Sequence, residues 1–262
     1  MKHLWLVFVF WLLAAPVTAH EFFIEPLSYQ VEPGQEIQAQ YRVGQNFSGG
    51  KIGYLDFRTV RNEYVLGGET TQIPARNGDR PAVKMTLPGE GLLTLVHETT
   101  NESLTYKTWE KFVNFVTHKD ALWTLDVHKA RGLPLENFVE TYSRHAKSLI
   151  AVGAGAGQDQ FIGLPAEIVA LQNPYTTPNL GQIDLHLFVD GQPKPKGQIE
   201  LFEKTPDGTV NITIHHTDAA GIVSVPVKPG HSYLADHVVL TARSGDGVWH
   251  STWASLTFLV PE

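Results

Sequence analysis

The chain has 262 residues, a formal net charge of −7 at pH 7 and no cysteine. Its acidity argues against a nucleic-acid partner, because proteins that bind nucleic acid need a basic surface. Without cysteine the protein can form neither disulfides nor thiolate–metal bonds. A transition-metal site would therefore have to use histidine, methionine, carboxylates or the terminal amine. The 12 histidines make such a site feasible.

The N-terminus has the pattern of a secretory signal peptide. A short basic start precedes an apolar run, Leu4–Leu13, of roughly ten residues, which is too short to span a bilayer. Val17 and Ala19 occupy the small-residue positions that signal peptidase reads. The sequence therefore predicts a signal peptide over residues 1–19 and a mature protein that begins at His20, with an uncleaved anchor as the alternative. No later stretch approaches 18 apolar residues, so no membrane span is expected after cleavage.

Short runs of alternating apolar and polar residues, separated by turns rich in glycine and proline, dominate the first half of the mature chain. Alternation with a period of two is typical of strands that bury one face. The runs that carry this interpretation lie at 37–43, 83–87, 93–97 and 123–127. We interpret residues 20–155 as a β-rich domain of the antiparallel sandwich type.

Two stretches depart from this alternation and are predicted as helices. Residues 108–117 carry aromatic and apolar side chains at helical spacing, with Thr108 as the N-cap. Residues 137–150 carry an apolar stripe, and Asn137 and Glu140 have the spacing of a capping box.

A glycine-rich segment, residues 153–157, follows and is interpreted as a connector, since no Gly-Lys-Ser/Thr sequence makes it a phosphate loop. The domain boundary is placed between about Gly153 and Gly163. Residues 163–262 contain about seven further alternating runs, which predicts a second β-sandwich of immunoglobulin or transthyretin type. The fold class expected is therefore mainly β, with two sandwiches and one or two short helices between them.

His20 is the residue whose position suggests a specific chemistry. As the first residue of a mature chain it would offer its amine and its ring Nδ1 to one metal, and a second histidine would complete a "histidine brace". The reference pKa of a terminal amine, about 7.7–8.0, lets a metal displace its proton at neutral pH. Such nitrogen ligands suit copper, nickel and zinc. The alternative is that histidine follows the cleavage site by chance.

Strand parity selects the histidines that could join His20. His97 and His250 share strand faces with apolar residues, and His237 lies in a predicted strand after a turn. The predicted metal site is therefore His20, His97, His237 and His250, although for each of the last three taken singly a packing histidine is the more common case. His128 and His186 fall on polar strand faces, and His118 at a helix end, so these three are expected to be solvated. Neither Gly-x-Ser-x-Gly nor His-Glu-x-x-His occurs, so no catalytic residue is predicted.

Several segments together resemble a bacterial periplasmic family described as a cobalt/nickel uptake (nickel uptake substrate-specific) component. They are residues 19–26 (AHEFFIEP), 31–34 (VEPG), 140–149 (ETYSRHAKSL), 163–169 (GLPAEIV), 173–175 (NPY), 190–193 (DGQP), 217–221 (TDAAG) and 253–258 (WASLTF). The resemblance implies a periplasmic, metal-linked protein built from two β-rich parts, with an N-terminal histidine as a recurring element.

The sequence thus predicts a soluble periplasmic protein that binds a divalent transition metal (nickel, cobalt or copper) for uptake or delivery. Its expected partners are the metal ion and, as the resemblance implies, a membrane metal-transport system. Two alternatives stay open, a histidine-brace copper oxygenase and a structural or adhesive module without a metal.

Overall fold

The computed structural model describes residues 20–262, so the predicted signal peptide at residues 1–19 lies outside the described residues. In the described part, eighteen strands form three sheets, and two α-helices accompany them. This architecture confirms the mainly β fold. None of the helices described is long and apolar enough to cross a membrane.

The strands of the first half are β1 (Glu21–Pro26), β2 (Gln30–Val31), β3 (Glu36–Gln45), β4 (Ser48–Ile52), β5 (Thr59–Leu66), β6 (Glu69–Gln72), β7 (Val83–Thr86), β8 (Gly91–Thr99) and β9 (Glu102–Tyr106). Helices α1 (Trp109–His118) and α2 (Trp123–Ala130) follow. The remaining strands are β10 (Phe138–Val152), β11 (Ala166–Ala170), β12 (Gln182–Val189), β13 (Gln192–Pro193), β14 (Gln198–Lys204), β15 (Val210–His216), β16 (Ile222–Pro226), β17 (Ser232–Ala242) and β18 (Trp249–Leu259).

A ten-stranded sheet organises the molecule. Its strand order is β15-β14-β17-β18-β10-β8-β5-β6, and β2 and β9 also pair with β10. Strand β10 runs parallel to β18 and antiparallel to β8 and β9. Strands from before and after the predicted boundary at Gly153–Gly163 therefore share this sheet, and the division into domains 20–155 and 163–262 stays a prediction.

Each face of the central sheet is covered by a smaller sheet. The sheet of β1, β3, β4 and β7 packs its apolar side chains against one face, where Ile150 is buried. The sheet of β11, β12, β13 and β16 covers the other face, where Leu149 is buried. Neighbouring residues of a strand point to opposite faces, so β10 contributes to both cores. Each fully buried aliphatic side chain of this kind stabilises the fold by about 1.5–3 kcal/mol.

The predicted helix over residues 108–117 is confirmed by α1. Phe112, Phe115 and Val116 form its buried side. They pack with the aromatic side chains Trp249 and Trp253 of β18 in one apolar cluster, which ties α1 to the central sheet. Thr108 occupies the N-cap position, but its side chain makes no capping hydrogen bond.

The prediction of a helix over residues 137–150 is wrong, because this segment lies in the fifteen-residue strand β10. Its apolar stripe repeats every four residues, at Phe138, Tyr142, Ala146 and Ile150. A spacing of four keeps side chains on one face of a strand as well as on one side of a helix, so the stripe does not distinguish the two. The many aromatic and β-branched residues of this stretch favour the strand.

The prediction of a strand over residues 123–127 is also wrong, because these residues belong to α2. The buried side chains of α2 are Thr124 and His128, which lie four residues apart on one side of the helix. His128 was expected to be solvated but is buried: its Nδ1 accepts a hydrogen bond from Trp249 Nε1 at 3.0 Å, and its Nε2 lies 2.9 Å from the Pro134 carbonyl oxygen. The apolar residues Trp123, Leu125 and Val127 alternate as in a strand, and they concealed the helical period because the residues buried in α2 are the polar ones.

Candidate functional site

The four histidines of the predicted metal site lie in four different places. His20 is exposed and lines a cavity of about 590 Å³ together with Glu140, Tyr142 and Arg144. No other histidine of residues 20–262 lines that cavity. In the described part of the chain, this cavity therefore holds no second imidazole that could complete a histidine brace with His20.

His97 is packed between aromatic rings. Its ring centroid lies 4.2 Å from that of Tyr41 and 5.5 Å from that of Phe22. Burial lowers the pKa of His97 to about 3, so the ring is neutral at physiological pH. Its Nδ1 is buried without a hydrogen-bond partner. His97 lines a second cavity, of about 420 Å³.

His237 and His250 are held by hydrogen bonds on the central sheet. His237 Nδ1 donates to the Gln198 carbonyl oxygen at 2.8 Å, and burial lowers its pKa to about 4. His250 Nδ1 lies 2.9 Å from Thr141 Oγ1, and its ring lines a polar cavity of about 700 Å³. The inward orientation expected for His97 and His250 is thus correct, yet the four predicted ligands do not meet around one ion.

A different group of side chains converges around a buried lysine. Lys119 follows the last residue of α1, and its ammonium donates to Glu200 Oε2 at 2.7 Å, Asp236 Oδ2 at 2.9 Å and Glu21 Oε1 at 3.3 Å. Glu200 and Asp236 are direct neighbours on the paired strands β14 and β17. Glu21 comes from β1. His118 Nε2 lies 3.1 Å from Glu200 Oε1. We call these five residues the Lys119 cluster.

Three members of the Lys119 cluster have the geometry of metal ligands. One ligand atom each from Glu21, His118 and Glu200 lies within 4.8 Å of the other two. Metal bonds to histidine and carboxylate of about 2.0–2.2 Å place two ligands of one ion at most about 4.4 Å apart. A small adjustment of the side chains would therefore bring all three onto one ion. No other group of three such residues converges in this way within residues 20–262.

The Lys119 cluster holds three buried carboxyl groups around a single ammonium. Burial and the neighbouring Asp236 raise the pKa of Glu21 to about 7, and burial also raises the pKa of Asp236. Burial opposes ionisation of Glu200 as well, but hydrogen bonds from His118 and Lys119 lower its pKa. Asp236 Oδ1 is buried without a hydrogen-bond partner. Additional positive charge at this cluster would relieve the repulsion among three buried carboxylates.

Comparison with known families gives the chain a family but no function. A family model described as "Domain of unknown function (DUF4198)" matches residues 17–240. The chain belongs to this family. The DUF4198 match includes every residue of the Lys119 cluster, whereas His250 lies outside it. None of the curated proteins gives a significant match. Among solved structures, the D0-D1 domain of intimin matches 90% of this chain and 97% of its own length at 10% identity, with a TM-score of 0.21; so low a score carries no argument.

Reasoning from the sequence missed the Lys119 cluster because it weighed histidines alone. His118 was considered as a solvated histidine at a helix end, and its side chain is indeed 43% exposed. The available signal was a carboxylate inside an apolar strand: Glu200 lies between Ile199 and Leu201 in β14. A buried carboxylate needs a cationic partner, so this position could have been recognised as part of a charged site.

Proposed function

We propose that this DUF4198 protein is an exported protein that binds a divalent transition metal for uptake or delivery in the periplasm. The proposed ligands are Glu21, His118 and Glu200. The observation that carries the proposal is the convergence of these three side chains, with ligand atoms within 4.8 Å of one another. The surplus of buried carboxylates around Lys119 supports it, because a divalent cation would offset the charge that the ammonium leaves uncompensated.

The ligand set suggests which metals to expect. One imidazole nitrogen and two carboxylate oxygens, without thiolate, suit Ni²⁺, Co²⁺ and Zn²⁺ better than Cu⁺. Copper(II) binds most nitrogen and oxygen sites more tightly than the other divalent ions of this series, so affinity alone does not identify the physiological metal. We propose nickel or cobalt, in keeping with the family that the sequence resembles.

His20 retains a place in this proposal through its main chain. It directly precedes Glu21, so cleavage after Ala19 would put a free amine one residue away from a proposed ligand. The copper oxygenase alternative needs a second histidine beside His20, and the residues described around the His20 cavity do not supply one. We therefore favour metal binding over oxygenase chemistry.

The test is a metal titration of natively cleaved protein that begins at His20. Calorimetry with Ni²⁺, Co²⁺, Zn²⁺ and Cu²⁺ should give one tight site. His118→Asn and Glu200→Gln should each weaken it by at least about tenfold, because the loss of even an outer-shell partner of a metal ligand costs about that much. His216→Asn is the matched control, because His216 is an exposed histidine 3.3 Å from Asp120, outside the Lys119 cluster. Unchanged affinity in both ligand variants would overturn the proposal.

The contribution of the N-terminal amine needs a separate comparison. A protein that retains one residue before His20 keeps every side chain of the Lys119 cluster but loses the free amine of histidine. Equal nickel affinity with and without this extra residue would eliminate the brace and leave the side-chain site intact. A circular dichroism spectrum of each variant, compared with the parent, separates a lost ligand from a lost fold.

A further inference from the structure

Arg144 is a partly buried arginine with no carboxylate partner. Among residues 20–262 it forms no ion pair within 4.0 Å, whereas Lys147 on the same strand pairs with Asp159 at 2.8 Å and with Glu167 at 3.0 Å. Its Nε atom is buried and donates no hydrogen bond. The guanidinium carbon lies 4.6 Å from the centroid of the Tyr142 ring, which is stacking distance for these two groups.

Two cavities share Arg144 in their walls. The cavity lined by His20 has about 590 Å³, and the cavity lined by His97 has about 420 Å³. Val43, Tyr142 and Arg144 belong to the walls of both. Each volume falls in the range of small-molecule sites, so Arg144 presents its charge where a ligand of modest size has room.

The larger cavity, which we call the Arg144 cavity, combines that charge with apolar walls. The rings of Phe115 and Trp253 stack at 5.9 Å between centroids, and Leu104 and Tyr106 extend the same wall. An apolar pocket with a few convergent polar or charged groups is the usual construction of a small-molecule site, and it suits an amphiphilic ligand. Inorganic phosphate, by contrast, would leave most of its oxygens facing these walls without donors.

The other charged groups of the Arg144 cavity permit an anion. Lys111 adds a second cation to its lining. Glu140 is the carboxylate in its lining, and it accepts hydrogen bonds from the Tyr106 hydroxyl at 2.9 Å and from the Ser251 hydroxyl. Burial raises the pKa of Glu140 to about 7, so a large share of this group is uncharged near neutral pH.

We propose that the Arg144 cavity binds a small organic carboxylate, whose carboxylate group pairs with the Arg144 guanidinium and whose apolar body lies against Phe115 and Trp253. Arginine forms two parallel hydrogen bonds to a carboxylate, which a lysine ammonium cannot reproduce. The pairing would also give the orphaned Nε of Arg144 an acceptor. The inference stands on residues outside the Lys119 cluster and is independent of metal binding.

The test uses metal-free protein and three probe carboxylates, benzoate, phenylacetate and octanoate, followed by ligand-observed NMR and calorimetry at pH 6.5. We expect at least one probe to bind in the millimolar range or tighter, and its neutral alcohol analogue to bind at least tenfold more weakly. Inorganic phosphate should not compete at equal concentration. If none of the three carboxylates binds below 10 mM, or if the alcohol binds as well as the acid, the proposal is wrong.

Two variants test whether the probe carboxylate binds at Arg144. Arg144→Lys should weaken the best probe at least tenfold. Arg42→Lys is the matched control, because Arg42 is a partly buried arginine on β3 whose guanidinium is already engaged by Glu25 and the Gly49 carbonyl oxygen. Equal affinity in wild type and Arg144→Lys would overturn the assignment. If Arg144→Lys fails to fold, the comparison of acid, alcohol and phosphate on the wild-type protein still decides the proposal.

Discussion

Replacing Lys119 by methionine tests how much the buried ammonium of the Lys119 cluster contributes to the free energy of unfolding. Its side chain is 2% exposed, and those of Glu21, Glu200 and Asp236 are between 1% and 4% exposed, so solvent screens these charges poorly. Removing one partner of a buried ion pair costs about 3–5 kcal/mol, because the remaining charge is left uncompensated. Lys119→Met keeps the aliphatic length and leaves three buried carboxylates, so we expect a loss of this size in the free energy of unfolding at pH 8.

The loss should shrink as the pH falls. Glu21 and Asp236 have pKa values raised by burial even with the ammonium present, and its removal raises them further. A carboxylate whose pKa is higher in the folded state than in the unfolded state stabilises the fold below the unfolded pKa, and this contribution is lost as the pH rises through the folded pKa. Each such group changes the free energy of unfolding by at most about 1.4 kcal/mol per pH unit. Lys119→Met should therefore recover much of its deficit at pH 5.

Urea denaturation at pH 5 and pH 8, followed by tryptophan fluorescence, measures both effects. Lys204→Met is the control, because Lys204 pairs with Glu25 at 3.3 Å but its side chain is 25% exposed, and such pairs contribute about 0–1 kcal/mol. A loss below about 1 kcal/mol for Lys119→Met at pH 8, or an equal loss at both pH values, would refute the reasoning.

Three further predictions concern the core and the two proposed sites. Phe112→Ala should lower the free energy of unfolding by about 3–5 kcal/mol, because Phe112 is fully buried against Tyr106 and Trp249; a loss near zero in a urea titration would contradict the packing. Nickel affinity measured by calorimetry should fall from pH 8 to pH 6, because Glu21 and His118 must release protons to bind a metal. Burial raises the pKa of Glu21 to about 7, and the hydrogen bond to Glu200 raises the pKa of His118. A pH-independent affinity would exclude both as ligands. Carboxylate affinity at Arg144 should fall from pH 6 to pH 8 as Glu140 ionises, and Glu140→Gln should remove this dependence; NMR titrations of wild type and variant at both pH values would show it.

The secondary structure was predictable from the sequence where the spacing of apolar side chains matches one type of element only. The alternation around Leu185 marks β12 as a strand that buries one face, and the alternation around His97 likewise lies in a strand, β8, although both faces of β8 are buried. The prediction failed for β10 because a spacing of four residues suits a strand and a helix alike. That strand is buried on both faces at its C-terminal end, so it lacks the polar alternation that would have revealed it.

The candidate site could not be predicted from the sequence because its residues converge only through strand pairing. Glu200 and Asp236 are 36 positions apart in the chain and adjacent only in the register of β14 with β17. Glu21 and Lys119 reach the same place from β1 and from the end of α1. Residue type marks each as polar, but no local spacing connects them. The brace hypothesis rested on one residue and a cleavage site, and the structure puts the other predicted histidines elsewhere.

The position of Trp253 explains how one face of a sheet can hold an acidic cluster and an anion cavity together. The Lys119 ammonium lies 5.2 Å from the Trp253 ring centroid, and the same ring forms part of the wall of the Arg144 cavity. Burial lowers the pKa of Arg144, although the nearby Tyr142, Glu102 and Asp236 oppose that shift. A direct ion pair between Arg144 and Asp236 would disable both proposed sites. The Lys119 cluster would lose a carboxylate, and the Arg144 cavity would lose its cation. Instead Asp236 pairs with Lys119 at 2.9 Å beside the Trp253 ring, and Arg144, across the cavity wall that this ring helps to form, makes no ion pair within 4.0 Å among residues 20–262.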